Sequence, residues 1–153
     1  MIRRLIHPFV LSGLLVGAVP AAASAAAASA ATIEVHSSFS EVNGTFTADS
    51  PVLCDSGTTS DVTRVVGQGA TLSIHNLKSF TCADGSGTFT LRIQATVQPC
   101  DATDRGAWSV AGGTGDYGQL RGAGTLVGTY VPNNACDAEG IDDLLTGTLV
   151  LPA

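Results

Sequence analysis

Basic residues are scarce in this chain. Only 7 Lys and Arg stand against 13 Asp and Glu, and charged residues of both signs make up 13% of 153 positions. Aromatics are thin as well, at 5% with a single Trp. So little charge excludes a highly charged disordered tail and a long charge-laced coiled coil, and 18 glycines without a G-x-y period exclude a collagen-like repeat. What remains is the profile of one globular domain. Beyond the N-terminal region no segment approaches the ~18 consecutive apolar residues of a membrane span. There is no C-x-x-C pair, no G-x-S-x-G and no H-E-x-x-H, so the common zinc and hydrolase frames are missing too.

The N-terminal fifth is of a different kind. Arg3 and Arg4 precede an apolar stretch from Phe9 to Val19, and a run of Ala and Ser follows from Ala21 to Ala31. Ala23-Ser24-Ala25 and Ala28-Ser29-Ala30 both fit the small-residue cleavage pattern. This order is that of a secretory signal peptide over residues 1–31, with an apolar core too short to span a bilayer and a domain over 32–153. The expected mature domain keeps five basic residues, Arg64, Lys78, Arg92, Arg105 and Arg121, against all 13 acidic ones, a net charge of −8. Such a surface repels nucleic acid and anionic membranes. Export also sets the redox state. Cys54, Cys82, Cys100 and Cys136 form an even set in an exported chain, which predicts two disulfides. Three pairings are possible; Cys54–Cys82 with Cys100–Cys136 is preferred, because each bridge then closes one half of the chain.

Helix signals are nearly absent after residue 31, whereas strand signals are strong. From Thr88 to Val97, apolar Phe89, Leu91, Ile93, Ala95 and Val97 alternate with polar partners over ten residues. Ile33, Val35 and Phe39 alternate in the same way, and Asn43-Gly44 reads as a tight hairpin into Thr45–Thr47. Further strands are predicted at 62–66, 69–81, 107–111, 119–131 and 144–151. Within 69–81, Leu77 falls out of phase with Ala70, Leu72 and Ile74, which predicts a bulge near His75-Asn76. Seven or eight long antiparallel strands in about 120 residues make a barrel rather than a sandwich.

The segment Gly113-Thr114-Gly115-Asp116-Tyr117-Gly118 satisfies G-x-G-x-x-G, but the glycines and β-formers after it start no helix to hold a pyrophosphate. It is read as a glycine-rich turn. Residues 108–122, from Trp108 through Gly112-Gly113-Thr114-Gly115 and Tyr117 to Arg121-Gly122, resemble the G-G-T-G-x-[FY]-x-x-A-R-G stretch of dirigent proteins. They are also similar to the G-G-[ST]-G segment of allene oxide cyclases. The resemblance implies an eight-stranded antiparallel barrel of calycin-like kind, trimeric in the plant families, that binds hydrophobic small molecules and steers coupling or cyclisation. Leu120 departs from the small residue before the Arg, and the four cysteines have no counterpart in that pattern.

Tyr117 and Arg121 are the motif positions with ligand-capable chemistry, and Trp108 is the third candidate. If the strand already runs from Tyr117, the two side chains share one face, at a barrel mouth near the turn. Arg121 can hold a ligand oxygen there or pair with an acidic neighbour on an outward face. Gly122, Gly124 and Gly128 on the opposite face leave space for a bulky neighbour or a ligand. His36 and His75 lack any catalytic frame and read as surface residues. Asp137, Glu139, Asp142 and Asp143 read as a solvated acidic loop, since their order does not match a Ca²⁺ loop. No cofactor, metal or classical catalytic machinery is expected. The function expected is a secreted dirigent-like barrel binding a small hydrophobic or aromatic molecule. The alternatives are an inert extracellular module for protein or glycan, and a carrier like the actinomycete chromoproteins.

Overall fold

The computed structural model describes residues 27–67 and 69–152. Eight strands account for most of them: β1 (Ser29–Ser38), β2 (Gly44–Asp49), β3 (Ser56–Val66), β4 (Leu72–Cys82), β5 (Gly87–Val97), β6 (Thr103–Gly115), β7 (Arg121–Val131) and β8 (Gly140–Val150). Each pairs antiparallel with the next, and β8 returns to β1, so the meander closes into a barrel without free edges. The all-β barrel expected from the period-two segments is the fold observed, with the eight strands that the family resemblance implies. An eight-stranded barrel has an interior wide enough to be filled by side chains or to hold one small ligand.

Alternation decides which side chains enter. Strand β5 buries Phe89, Leu91, Ile93, Ala95 and Val97, and β1 buries Ala31, Ile33, Val35 and Ser37. From β6 and β7 come Trp108, Leu126 and Tyr130, and from β8 Leu145 and Leu149. The Trp108 indole fits because its neighbours are glycines: a Cβ on Gly124 or Gly147 would stand 2.6 Å from its ring. The glycine face of β7 thus makes room for a bulky neighbour, as its spacing implied. Burying so large a ring contributes roughly 2–3 kcal/mol, and its N–H donates to Thr125 O at 3.0 Å.

Both disulfides follow the preferred pairing, Cys54–Cys82 and Cys100–Cys136, with sequence separations of 28 and 36. Closing loops of that size stabilises by about 3–4 kcal/mol each in the chain-entropy model. They sit at opposite ends. The first ties the β2–β3 loop to the end of β4, and the second ties the β5–β6 loop to the β7–β8 loop.

Several local expectations are corrected. Strand β4 has no bulge at His75-Asn76: it pairs in unbroken register with both β3 and β5. Leu77 is out of phase because it points outward, at 41% exposure, while Asn76 and Lys78 take the inward positions. The register shift lies instead in β6, where Ala111 is the extra residue between Val110 and Gly112. The first hairpin is not a two-residue Asn43-Gly44 turn, because β1 ends at Ser38 and Phe39 already lies in the connection. The signal peptide expected over residues 1–31 lies mostly outside the described residues. Strand β1 begins at Ser29, and Ala31 is buried opposite Gly147. Strand β1 thus begins three residues before position 32.

Candidate ligand-binding site

The two ends of the barrel are filled differently. At the end carrying Cys54–Cys82 and the 116–119 turn, aromatic rings make a plug. Phe80 and Phe89 stack at 4.5 Å between centroids, and Phe46 meets both edge-on at 5.1 and 5.9 Å. Tyr117 closes the cluster 5.6 Å from Phe89. Leu120, fully buried, completes it.

The opposite end holds a cavity of about 200 Å³ that opens to solvent. Ile74, Ile93, Ala95, Leu126 and Ile141 form its apolar wall, and Phe39 and Val65 stand at its mouth, 57% and 55% exposed. The rest of its lining is polar. Strand β4 supplies Asn76 and Lys78, β6 supplies Asp104, β7 Tyr130 and β8 Asp143. All but Asn76 of these polar residues are buried, Lys78 to 1% exposure.

A buried ammonium needs partners for each proton. Lys78 Nζ donates to Asp61 Oδ2 at 3.0 Å and to Ser37 Oγ at 3.5 Å, and lies 3.3 Å from Asp143 Oδ2. Asp61 also accepts from Asn76 Nδ2 at 3.3 Å, whereas the buried Asn76 Oδ1 has no partner. Among the described residues, no cation makes a salt bridge to Asp104. Its Oδ1 accepts from the Gly128 N–H at 3.1 Å, and its Oδ2 from the Tyr130 hydroxyl at 3.4 Å.

Burial governs the titration of these groups. Loss of hydration pushes the Asp143 carboxyl up to about 6, against the pull of Lys78 and with the help of Asp104. Asp104 is likewise raised by burial, although Gly128 and Tyr130 hydrogen-bond to its ionised form. Burial and then Asp104 hold the Tyr130 phenol protonated, up to about 12. The cavity thus presents two buried carboxyls, of which Asp143 titrates about one unit below neutral pH.

Gly128 brings the two carboxyls together. A Cβ at that position would stand 2.5 Å from Asp104 Oδ1 and 2.9 Å from Asp143 Oδ1. A larger residue there would clash with both carboxyls and with Ile141 Cδ1, 2.7 Å from the same point. The glycine therefore serves the polar site as Gly124 serves Trp108.

None of the three residues singled out by the motif lines this cavity. Trp108 is a core side chain. Tyr117 belongs to the plug, and its hydroxyl lies 3.0 Å from Ser86 Oγ. Arg121 is exposed on the outer face, where Nη1 donates to Leu120 O at 2.7 Å. Tyr117 and Arg121 do not share a face, because β7 begins only at Arg121 and a turn separates them. The motif glycines are explained by that turn: Gly115 adopts φ 58°, and a Cβ there would lie 2.3 Å from Ser86 O.

The acidic stretch after Cys136 is split by the strand it enters. Asp142 points outward to His36, 2.5 Å from its Nδ1, while Asp143 turns into the barrel. Asp137 binds its neighbour Asn134 at 2.8 Å. Among the described residues, Cys54, Cys82 and Asp84 lie close enough to share an ion, but the two sulfurs are bonded to each other and offer no thiolate. No family model, curated protein or solved structure matches the chain.

Proposed function

We propose that the protein is an exported barrel that binds one small molecule with a hydrophobic or aromatic body inside its Cys100–Cys136 end. The observation that carries this function is the open-mouthed cavity, apolar on its wall and polar among Lys78, Asp104, Asp143 and Tyr130. Binding sites for small molecules combine those features, and drug-sized ones span about 300–1,000 Å³. A volume of about 200 Å³ therefore fits a single ring with a short polar tail. The two disulfides accord with an oxidising compartment. The resemblance of residues 108–122 to dirigent proteins and allene oxide cyclases supports the same architecture of use, in which the barrel restricts the conformers of a reactive guest. Cleavage after Ala25 keeps Ser29–Ala31 in β1, so it is the processing site that leaves the strand whole.

Three probes with a common phenyl body test the binding: 2-phenylethylamine, 2-phenylethanol and 3-phenylpropionate. Native mass spectrometry and calorimetry should show at least one of them bound at one per chain. Val65→Trp, at the exposed mouth, should abolish that binding while leaving circular dichroism and both disulfides unchanged. Failure of all three probes to bind the wild-type protein overturns the proposal.

A further inference from the structure

Resting on the interior site proposed above, we infer that its ligand carries a cationic head: a small organic ammonium, held by Asp104 and Asp143 where both line the cavity. The donor and acceptor inventory points this way. An ammonium has three protons, and Lys78 directs its own toward Asp61, Ser37 and Asp143. The single cation of the cavity is thus already engaged and has nothing left for an anionic ligand.

Acceptors, by contrast, are in surplus. Asp104 is 4% exposed and makes no salt bridge among the described residues, with Lys78 acting on it only from a distance and a long contact from Tyr130 on its Oδ2. Asp143 meets Lys78 through Oδ2 and turns Oδ1 toward Gly128. The buried Asn76 Oδ1, on the same cavity, has no donor at all. Buried acceptors left without donors are costly, and a ligand that brings several N–H groups relieves that cost.

The charge balance agrees. One Lys serves three carboxyls, Asp61, Asp104 and Asp143, and burial raises Asp104 and Asp143 in spite of its pull. The loops around this mouth add Glu41, Asp101, Asp137 and Glu139 and contain no Lys or Arg. Their field draws cations toward the opening and repels anions. The apolar wall selects an organic cation over a bare ion, since a hydrated ion gains nothing from Ile74, Ile93 and Leu126.

The three phenyl probes also decide this inference. The amine should bind at least about tenfold more tightly than the alcohol, as a charge-assisted bond to a buried carboxylate requires. The carboxylate should bind more weakly than either. Asp104→Asn should cut amine affinity about tenfold and alter alcohol affinity far less. Lowering the pH to about 5 protonates Asp143 and not the amine, so amine binding should weaken while alcohol binding holds. Alcohol or carboxylate binding as tight as the amine, or an Asp104→Asn variant that binds the amine normally, overturns the cationic head and leaves interior binding intact. If no probe binds, interior binding fails first.

Discussion

The two ends of this barrel are built from the same strands and do opposite things with them. At the Cys54–Cys82 end, inward positions carry Phe46, Phe80 and Phe89, which stack and fill the lumen. Along the same β4, four residues and two residues before Phe80, the inward positions carry Asn76 and Lys78, and the lumen holds a cavity. One strand thus runs from an apolar plug to a polar chamber without any change of backbone. The plug is where stability resides, and the chamber is where stability is spent on groups that need solvent or a ligand.

Breaking the plug should have the largest effect. Phe80→Ala removes the ring at the centre of the aromatic cluster and should cost about 3–5 kcal/mol, read as a fall in denaturation midpoint. Ligand affinity at the other end should be unchanged wherever the variant is folded. Loss of affinity in folded protein would show that the ends are not independent.

Lys78→Met tests the chamber and should cost about 3 kcal/mol near neutral pH, because Asp143 and Asp61 lose their buried partner. That cost should shrink near pH 5, where Asp143 takes up a proton and no longer needs the ammonium. A cost that does not vary with pH would mean that Lys78 acts through packing alone.

The chamber also gives the wild-type protein an unusual pH response. The folded pKa of Asp143 is raised to about 6 from an ordinary 3.8, so the folded state holds its proton more tightly than the unfolded chain does. Stability from this group is therefore greatest on the acid side and is lost as pH rises between those two values, by at most about 3 kcal/mol. Asp104 acts in the same direction. Asp61, Lys78 and Tyr130 complete the set of titratable groups facing it. Chemical denaturation across that range should show the slope, and Asp143→Asn should flatten it. An unchanged slope in the variant would assign the effect to other carboxyls.

The smallest effect belongs to the outer surface. Arg121→Ala should shift stability by less than about 0.5 kcal/mol and leave ligand affinity alone, since its guanidinium meets only a neighbouring carbonyl at the surface. A tenfold loss of affinity would return the site to the glycine turn.

The same contrast explains what could be read in the sequence. The plug and the walls were legible because apolar alternation marks them: Phe89 to Val97 announces β5, and Ile33 and Val35 announce β1. The chamber was not, because its inward residues are polar. Asn76 and Lys78 break the alternation of β4 and imitate a bulge. Thr59, Asp61 and Thr63 hide the first half of β3, of which only 62–66 reads as strand. Asp104 precedes the recognisable part of β6, and Asp143 looks like part of an acidic loop. Parity alone would have found the lysine: extending the inward phase of Phe80 and Cys82 back along β4 reaches Lys78 and Asn76. The G-G-T-G stretch drew attention to the opposite end, where its glycines let the turn approach Ser86 closely.

Methyl-resolved NMR during titration with 2-phenylethylamine measures directly which end of the barrel is the site. Ile74, Ile93, Ala95, Leu126 and Ile141 line the chamber, and their methyl signals should shift with saturation at one ligand per chain. The rings of Phe46, Phe80, Phe89 and Tyr117 should stay where they are. Shifts confined to the plug, or to the outer face around Arg121, would contradict the assignment of the polar chamber as the binding site.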